Sequence, residues 1–224
     1  LGDVYKRQKE DDEVTLVFDD GIKRLARVVN VEARQLELVE ELADNVELPV
    51  QVTIASGFPK GDKLEFITQK VTELGASQIW AFPADWSVAK WDGKKLGKKV
   101  EKLEKIALGA AEQSKRNLVP SITLFEKKAD FLAQFDQFDR IVVAYEESAK
   151  EGEAAALIQS LTGLEAGCKL LFIFGPEGGL SPAEIKSFTA KGAVLAGLGP
   201  RILRAETAPL YALSAVSVVT ELMN

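Results

Sequence analysis

The sequence predicts an α/β domain on a mostly parallel sheet over residues 46–224, preceded by a partial β domain over residues 1–45. Three observations carry this. From Val50 onward, strand-like and helix-like stretches alternate, the pattern of a parallel sheet covered on both faces. Leu170-Leu171-Phe172-Ile173-Phe174 is an apolar run bounded by Gly175-Pro176-Glu177-Gly178-Gly179, which reads as a strand buried on both faces. Before Pro49, apolar residues alternate with period two in three short stretches.

Taken in order, residues 1–13 are charged and patternless and read as an unstructured or non-native leader. The chain opens on Leu1 and its one methionine is Met223, which points to a natural start further upstream. Residues 14–18, 22–31 and 35–40 are strand candidates, with Asp19-Asp20-Gly21 as a hairpin turn. They are too few to close a barrel, and residues 43–49 read as a linker. Residues 51–55 form the first strand of the larger domain. Asp62-Lys63-Leu64-Glu65 has capping-box spacing at the head of a helix whose apolar face is Leu64, Ile67, Val71 and Leu74, ended by Gly75. Strands over 78–82, 121–125, 141–145, 169–174 and 193–198 alternate with helices over 94–115, 129–135, 153–161 and 181–190. A final helix to about Leu222 is apolar nearly all round, which suits packing under the sheet or against a second subunit equally. Ser181-Pro182-Ala183-Glu184 combines a capping Ser, a first-position Pro and a capping-box Glu.

Composition excludes several chemistries. The chain contains no histidine and one cysteine, Cys168. Ser-His-Asp and Cys-His catalysis are therefore absent, a zinc site is disfavoured, and an internal disulfide is impossible within one chain. The single cysteine fits a reducing cytoplasm. Acid–base work must fall to Asp, Glu, Lys, Tyr, water or the substrate. No apolar run approaches the length of a membrane span. A net charge of −6 argues against an indiscriminate nucleic-acid coat, but not against a local basic face.

Two loops have the character of ligand loops. Gly175–Gly179 joins a buried strand to a helix start, where glycines bring backbone close to whatever lies beyond the strand. A tight connection with no ligand would have the same sequence. Residues 199–207, Gly-Pro-Arg-Ile-Leu-Arg-Ala-Glu-Thr, follow the last strand. If the two preceding strands are neighbours, both loops meet at one sheet edge in one pocket. Its few charges would be Glu177, Arg204 and Glu206, which suits a small ligand with flat apolar and polar parts. There is no P-loop, and Gly197-Leu198-Gly199 lacks the context of a dinucleotide fingerprint.

Gly175-Pro176-Glu177-Gly178-Gly179, followed by Leu198-Gly199-x-x-Ile202-Leu203-Arg204-x-Glu206-Thr207-Ala208, closely resembles the S-adenosylmethionine site of the SPOUT methyltransferases. The Lys60–Gly75 stretch (K-G-D-K-L-E-F-I-x-Q-K-x-x-E-L-G) and Ala110-Ala111-Glu112-Gln113-Ser114-x-Arg116-x-x-x-Pro120 narrow the match to the bacterial 16S ribosomal RNA (uracil-N3)-methyltransferases, the small-subunit methyltransferase E family. The resemblance runs from Val14 to the C-terminus. It implies a SPOUT-type parallel sheet with a C-terminal trefoil knot, a PUA-like N-terminal β domain, a homodimer, S-adenosyl-L-methionine as cofactor and small-subunit 16S ribosomal RNA as partner. It implies cofactor contacts at Phe174, Gly175, Pro176, Glu177, Gly179, Leu198, Gly199, Ile202, Leu203, Arg204, Glu206, Thr207 and Ala208. The family's opening strands, with their basic RNA-facing residues, are not recognisable in residues 1–13.

The residues themselves add a basic stretch. Between Trp86 and Arg116, nine Lys/Arg stand against four acids, a local +5 in a −6 chain. Lys94, Lys95 and Lys98 are the RNA-contact candidates from it, and the family motif adds Gln113, Ser114 and Arg116. A lysine-rich helix face is also what a solvated surface looks like. Trp86 and Trp91 flank the stretch and suit either base stacking or half-buried packing. Glu206 and Glu177 are candidate bases for the uracil N3 proton, and Arg204 a candidate for charge developing on a carbonyl. Glu206 equally suits the N-terminal end of the last helix. The competing readings are a SPOUT enzyme acting on another ribosomal or transfer RNA base, and a non-catalytic nucleotide- or RNA-binding α/β domain.

Overall fold

The computed structural model describes residues 8–145 and 155–223. The expected leader and the expected helix start at Glu153 therefore lie partly outside the described residues. The described end of that stretch is not structureless. The Asp11 N–H donates to the Val28 carbonyl and the Asp12 carbonyl accepts from the Val28 N–H, both at 2.9 Å. The first strand then opens at Glu13.

Two compact units divide the chain, one of residues 1–47 with 115–118 and one of residues 48–114 with 119–224. The first holds an antiparallel sheet in the order β1 (Glu13–Val17), β2 (Lys23–Asn30), β3 (Gln35–Leu42). Its small core is Val14, Ala26 and Val28, with Leu16, Val31 and Leu36 against them. So few apolar residues give little driving force, and polar ties supplement them. Lys23 is buried and bonded to Asp44 at 2.6 Å. Residues 115–118 are fastened by one carboxylate. Glu47 takes Arg116 Nε at 3.2 Å and also its Nη2, and accepts the Asn117 and Leu118 N–H groups at 2.9 and 3.1 Å. Asn117 Nδ2 donates to the carbonyls of Gly21 and Asp44. No sequence pattern announces that this four-residue excursion belongs to the N-terminal unit. Glu47→Ala is expected to destabilise that unit by about 1–3 kcal/mol, because the Asn117 and Leu118 N–H groups and Arg116 all lose a charged acceptor. Urea unfolding followed by protease sensitivity of residues 8–47 checks this; an unchanged profile would rule the tie out.

Among the described residues the larger unit has six strands, all parallel, in the order β6-β5-β4-β8-β7-β9. They are β4 (Gln51–Gly57), β5 (Gln78–Phe82), β6 (Ser121–Leu124), β7 (Arg140–Ala144), β8 (Lys169–Phe174) and β9 (Val194–Ala196). The helices are α1 (Lys63–Glu73), α2 (Gly93–Gln113), α3 (Lys128–Leu132), α4 (Ala155–Leu161), α5 (Pro182–Ala190) and α6 (Ala208–Ser217), the last running into a π turn over Val218–Leu222. β8 is buried on both faces, as its unbroken apolar run predicts. Leu170, Phe172 and Phe174 pack with Ile67 and Val71 of α1 and with Ala212, Leu213 and Val216 of α6. Leu171 and Ile173 face an aromatic layer of Trp80, Phe82, Phe131, Phe135 and Phe188.

Two expectations need correction. Asp62 stands at the N-cap of α1 but makes no side-chain cap bond: its backbone is not extended (φ −99°, ψ 7°), and its own carbonyl takes the Glu65 N–H at 2.9 Å, while the Glu65 carboxylate pairs with Lys102 at 2.6 Å. β8 and β9 are not neighbours; β7 lies between them. Along the last helix and its π turn, Ala212, Leu213 and Val216 are fully covered, while Tyr211, Val218 and Leu222 are exposed. The Ser181 capping box is present as read, with both reciprocal bonds.

Candidate functional site

Parallel strands send all their carboxyl ends to one edge, where the loops after them converge. Here those loops enclose a cavity of about 720 Å3. Its walls are the glycine turn after β8 (Phe174 to Leu180, with Pro182), the loop after β9 (Leu198, Gly199, Arg201 to Ala205, with Ala208), Ala144 and Tyr145 at the end of β7, and Trp86. Of the expected cofactor residues, Phe174, Gly175, Pro176, Glu177, Gly179, Leu198, Gly199, Ile202, Leu203, Arg204 and Ala208 line it. Glu206 and Thr207 do not. Ala144 and Tyr145 escaped the sequence reading because it placed the two loop-bearing strands side by side. Trp86 was noted only beside the basic stretch.

The turn is shaped by what its glycines leave out. A Cβ on Gly175 would sit 2.7 Å from the backbone of Gly179, so the turn closes only on a bare α-carbon. At Gly57, the end of β4, a Cβ would meet Pro176 Cδ at 2.6 Å, which is how the turn comes down on the neighbouring strand. Gly179 differs: its φ is +79° and a Cβ there would meet nothing within 4 Å. Space left open beside a cavity-lining backbone is a cradle for a ligand. An S-adenosyl group fits it, having a flat apolar ring, a polar sugar and a zwitterionic tail for a mostly apolar wall with a few charges.

The charges are organised by a residue the sequence reading quoted without assigning it a role. Lys63, in the first turn of α1, reaches Glu177 of the glycine turn at 3.0 Å and Glu206 of the second loop at 3.2 Å. The Lys60 N–H also donates to Glu177, at 3.0 Å. The hydrogen bond to Glu177 foremost raises the Lys63 ammonium above its ordinary value of 10.5, against the pull of burial. Burial pushes the Glu177 carboxyl up, but Lys63 and backbone N–H donors, including that of Lys60, outweigh it and hold the group below its ordinary 4.5. Lys63 therefore stays protonated and acts as a clamp. Arg204 is 83% exposed and only 3.9 Å from Glu206, free to meet a ligand. A lysine between two distant glutamates leaves no periodic trace, which is why it was missed.

Lys94, Lys95 and Lys98 are exposed on α2, and Gln113 is exposed at its end. Ser114 instead donates back to the Ala110 carbonyl at 2.7 Å, and Arg116 is buried on Glu47.

This fold and site define a class, and comparison with known proteins agrees: residues 46–217 match the family model described as an RNA methyltransferase domain. Over 220 residues the chain is 48% identical to the ribosomal RNA small subunit methyltransferase E of Bacillus subtilis, covering 97% of this chain and 86% of that one. The chain belongs to the ribosomal RNA small subunit methyltransferase E family. Among solved structures, it is similar to a putative methyltransferase from Legionella pneumophila with bound cofactor SAM (27% identity, TM-score 0.80, 95% of this chain and 85% of that one). It is also similar to the small subunit methyltransferase E of Neisseria gonorrhoeae bound to S-adenosyl methionine (26% identity, TM-score 0.79, 95% and 86%).

Proposed function

We propose that this chain transfers a methyl group from S-adenosyl-L-methionine to N3 of a uridine in the 16S ribosomal RNA of the small subunit. The observation that carries the reading is the Gly175–Gly179 turn, which lines a cavity completed by the loop after β9 and leaves open space at Gly179. The exposed lysines of α2 support an RNA substrate. Bound S-adenosylmethionine supplies an electrophilic methyl on a sulfonium. The glycine turn and residues 198–208 would hold it, and positioning supplies most of the acceleration. Glu206 takes the N3 proton at its carboxylate while the N–C bond forms, and Arg204 offsets charge growing on a uracil carbonyl. Lys63 pairs with both carboxylates; Glu177 accepts the Lys60 N–H as well, which makes it the second choice as base.

Three further features belong to this reading. One is a trefoil knot, supported by the return of α6 from β9, at the sheet edge, to β8 and α1. Another is a PUA-like role in RNA binding for the N-terminal unit. The third is a homodimer in the cytoplasm, supported by the exposed Tyr211, Val218 and Leu222 of the last helix.

The test is methylation of undermethylated small subunits followed by mapping of the modified nucleotide; a base other than uracil N3 would overturn the acceptor, and no methylation the activity. Glu206→Gln is expected to lower kcat by about 100-fold, within the range for losing a general base, with cofactor affinity changed far less. Wild-type turnover would remove Glu206 as the base.

A further inference from the structure

We propose that Trp86 is the platform on which the acceptor nucleobase stacks, held in place by the ion-pair network of Asp85, Lys128 and Glu184. The inference rests on the RNA methyl-transfer reading above and names the residue that receives the substrate's base.

The three tryptophans have different surroundings. Trp80 is buried, with Phe125, Phe131 and Phe138 edge-on around it. Trp91 lies against Phe58 at 4.3 Å and carries Lys99 over its ring at 4.3 Å. Trp86 lines the cavity, is 49% exposed, and among the described residues has no aromatic ring against it. Half-exposed indole surface on the wall of a cavity is apolar area that a flat ring can cover.

The position of Trp86 is held firmly. The Asp85 N–H donates to Glu184 Oε1 at 2.9 Å, and Lys128 Nζ pairs with that oxygen at 2.8 Å and with Asp85 Oδ1. Ser181 Oγ donates to the other Asp85 oxygen at 2.5 Å. Glu184 is 1% exposed and also accepts the Ser181 N–H at 2.9 Å, so a buried carboxylate is doing more than closing a capping box. Lys128 and then Ser181 hold the Asp85 carboxyl below its ordinary value, so Asp85 stays ionised at neutral pH. The turn carrying Trp86 is thereby fixed to the start of α5, which is also the end of the glycine turn. The contact is close enough that a Cβ at Gly178 would lie 3.1 Å from Trp86 Cβ. The glycine turn and Trp86 are thus in direct contact.

The sheet order says which ring Trp86 meets. The loops expected to hold the cofactor leave β8 and β9. Trp86 leaves β5, on the other side of β4, and the chain from it runs directly into α2 with its exposed Lys94, Lys95 and Lys98. Trp86 is thus the cavity wall on the phosphate-binding side, where an unstacked base enters, and not on the side of the adenine.

The test measures cofactor affinity by isothermal titration, and kcat and KM for undermethylated small subunits, on the full chain. Trp86→Ala is expected to leave S-adenosylmethionine affinity within about twofold and to lower kcat/KM for subunits by about 10- to 100-fold, the usual loss of one base stack; Trp86→Phe regains most of it. Lys128→Met, acting through Trp86, should raise KM for subunits with cofactor affinity kept, and Lys128→Arg should restore it. Unchanged kcat/KM in Trp86→Ala overturns the inference, and so does a parallel loss of cofactor affinity, which would put Trp86 on the adenosyl group. A wild-type chain that binds the cofactor yet methylates no subunits overturns the functional reading, and this inference with it.

Discussion

Gly179→Val is expected to lower S-adenosylmethionine affinity by about 100-fold or more and to leave the sheet folded. A Cβ at this position meets no protein atom within 4 Å, so the added side chain projects into the open space of the cavity that Gly179 lines. Part of any effect would come from the backbone, because φ is +79° and a β-branched residue is strained there, by roughly 1–2 kcal/mol. Gly192→Val supplies the control. Its φ is +88°, it too has nothing within 4 Å, and it stands outside this cavity, between α5 and β9. Both variants should melt lower by roughly 2–8 °C, and only Gly179→Val should lose the cofactor, as isothermal titration will read. Equal affinities in the two variants would mean that the glycine turn does not hold the ligand.

Lys63→Met is the second large effect. It removes the cation that ties α1 to both cavity loops and leaves Glu177 and Glu206 facing each other across the vacated position. Each charge-assisted hydrogen bond is worth about 1.5–3 kcal/mol when well buried, and less where water reaches it, as here. An expected loss of about tenfold in cofactor affinity follows, with a larger loss in kcat if Glu206 is the base. Lys63→Arg should recover part of both. The pH dependence has a definite sign. The Glu177 carboxyl is depressed, so its share of the clamp is complete above its ordinary 4.5 and is lost as pH falls through the lowered value. The Lys63 ammonium is raised, so its share is complete below 10.5 and is lost as pH rises through the raised value. The ratio of wild-type to variant affinity should therefore be flat from about pH 5 to pH 9.5. A ratio of one across that range would refute the clamp.

Much of the architecture was legible because local physics determines it. The apolar run of β8 has one stable solution, a strand covered on both faces. Ser181-Pro182-Ala183-Glu184 caps α5 as read, since all its partners lie within one turn. The same spacing at Asp62 and Glu65 did not form a capping box: the Asp62 carbonyl takes the Glu65 N–H, and Lys102, 37 residues away, offers the Glu65 carboxylate a cation. Spacing alone fixes neither the backbone angles of the cap nor the partner of its carboxylate.

The candidate site divides along the same line. Sequence alone determined the two loops, because glycines and turn residues act on the backbone beside them. It also determined the classes of chemistry that are absent, because a chain without histidine has none to contribute. Only the tertiary structure decided that β7 stands between β8 and β9 and brings Ala144 and Tyr145 to the cavity. It alone decided that Lys63 bridges Glu177 and Glu206, and that Asp85, Lys128 and Glu184 hold Trp86 at the cavity wall. Those relations join residues tens to more than a hundred positions apart. Strand order and long-range ion pairs are set by how whole faces pack, and no pattern along the chain encodes them.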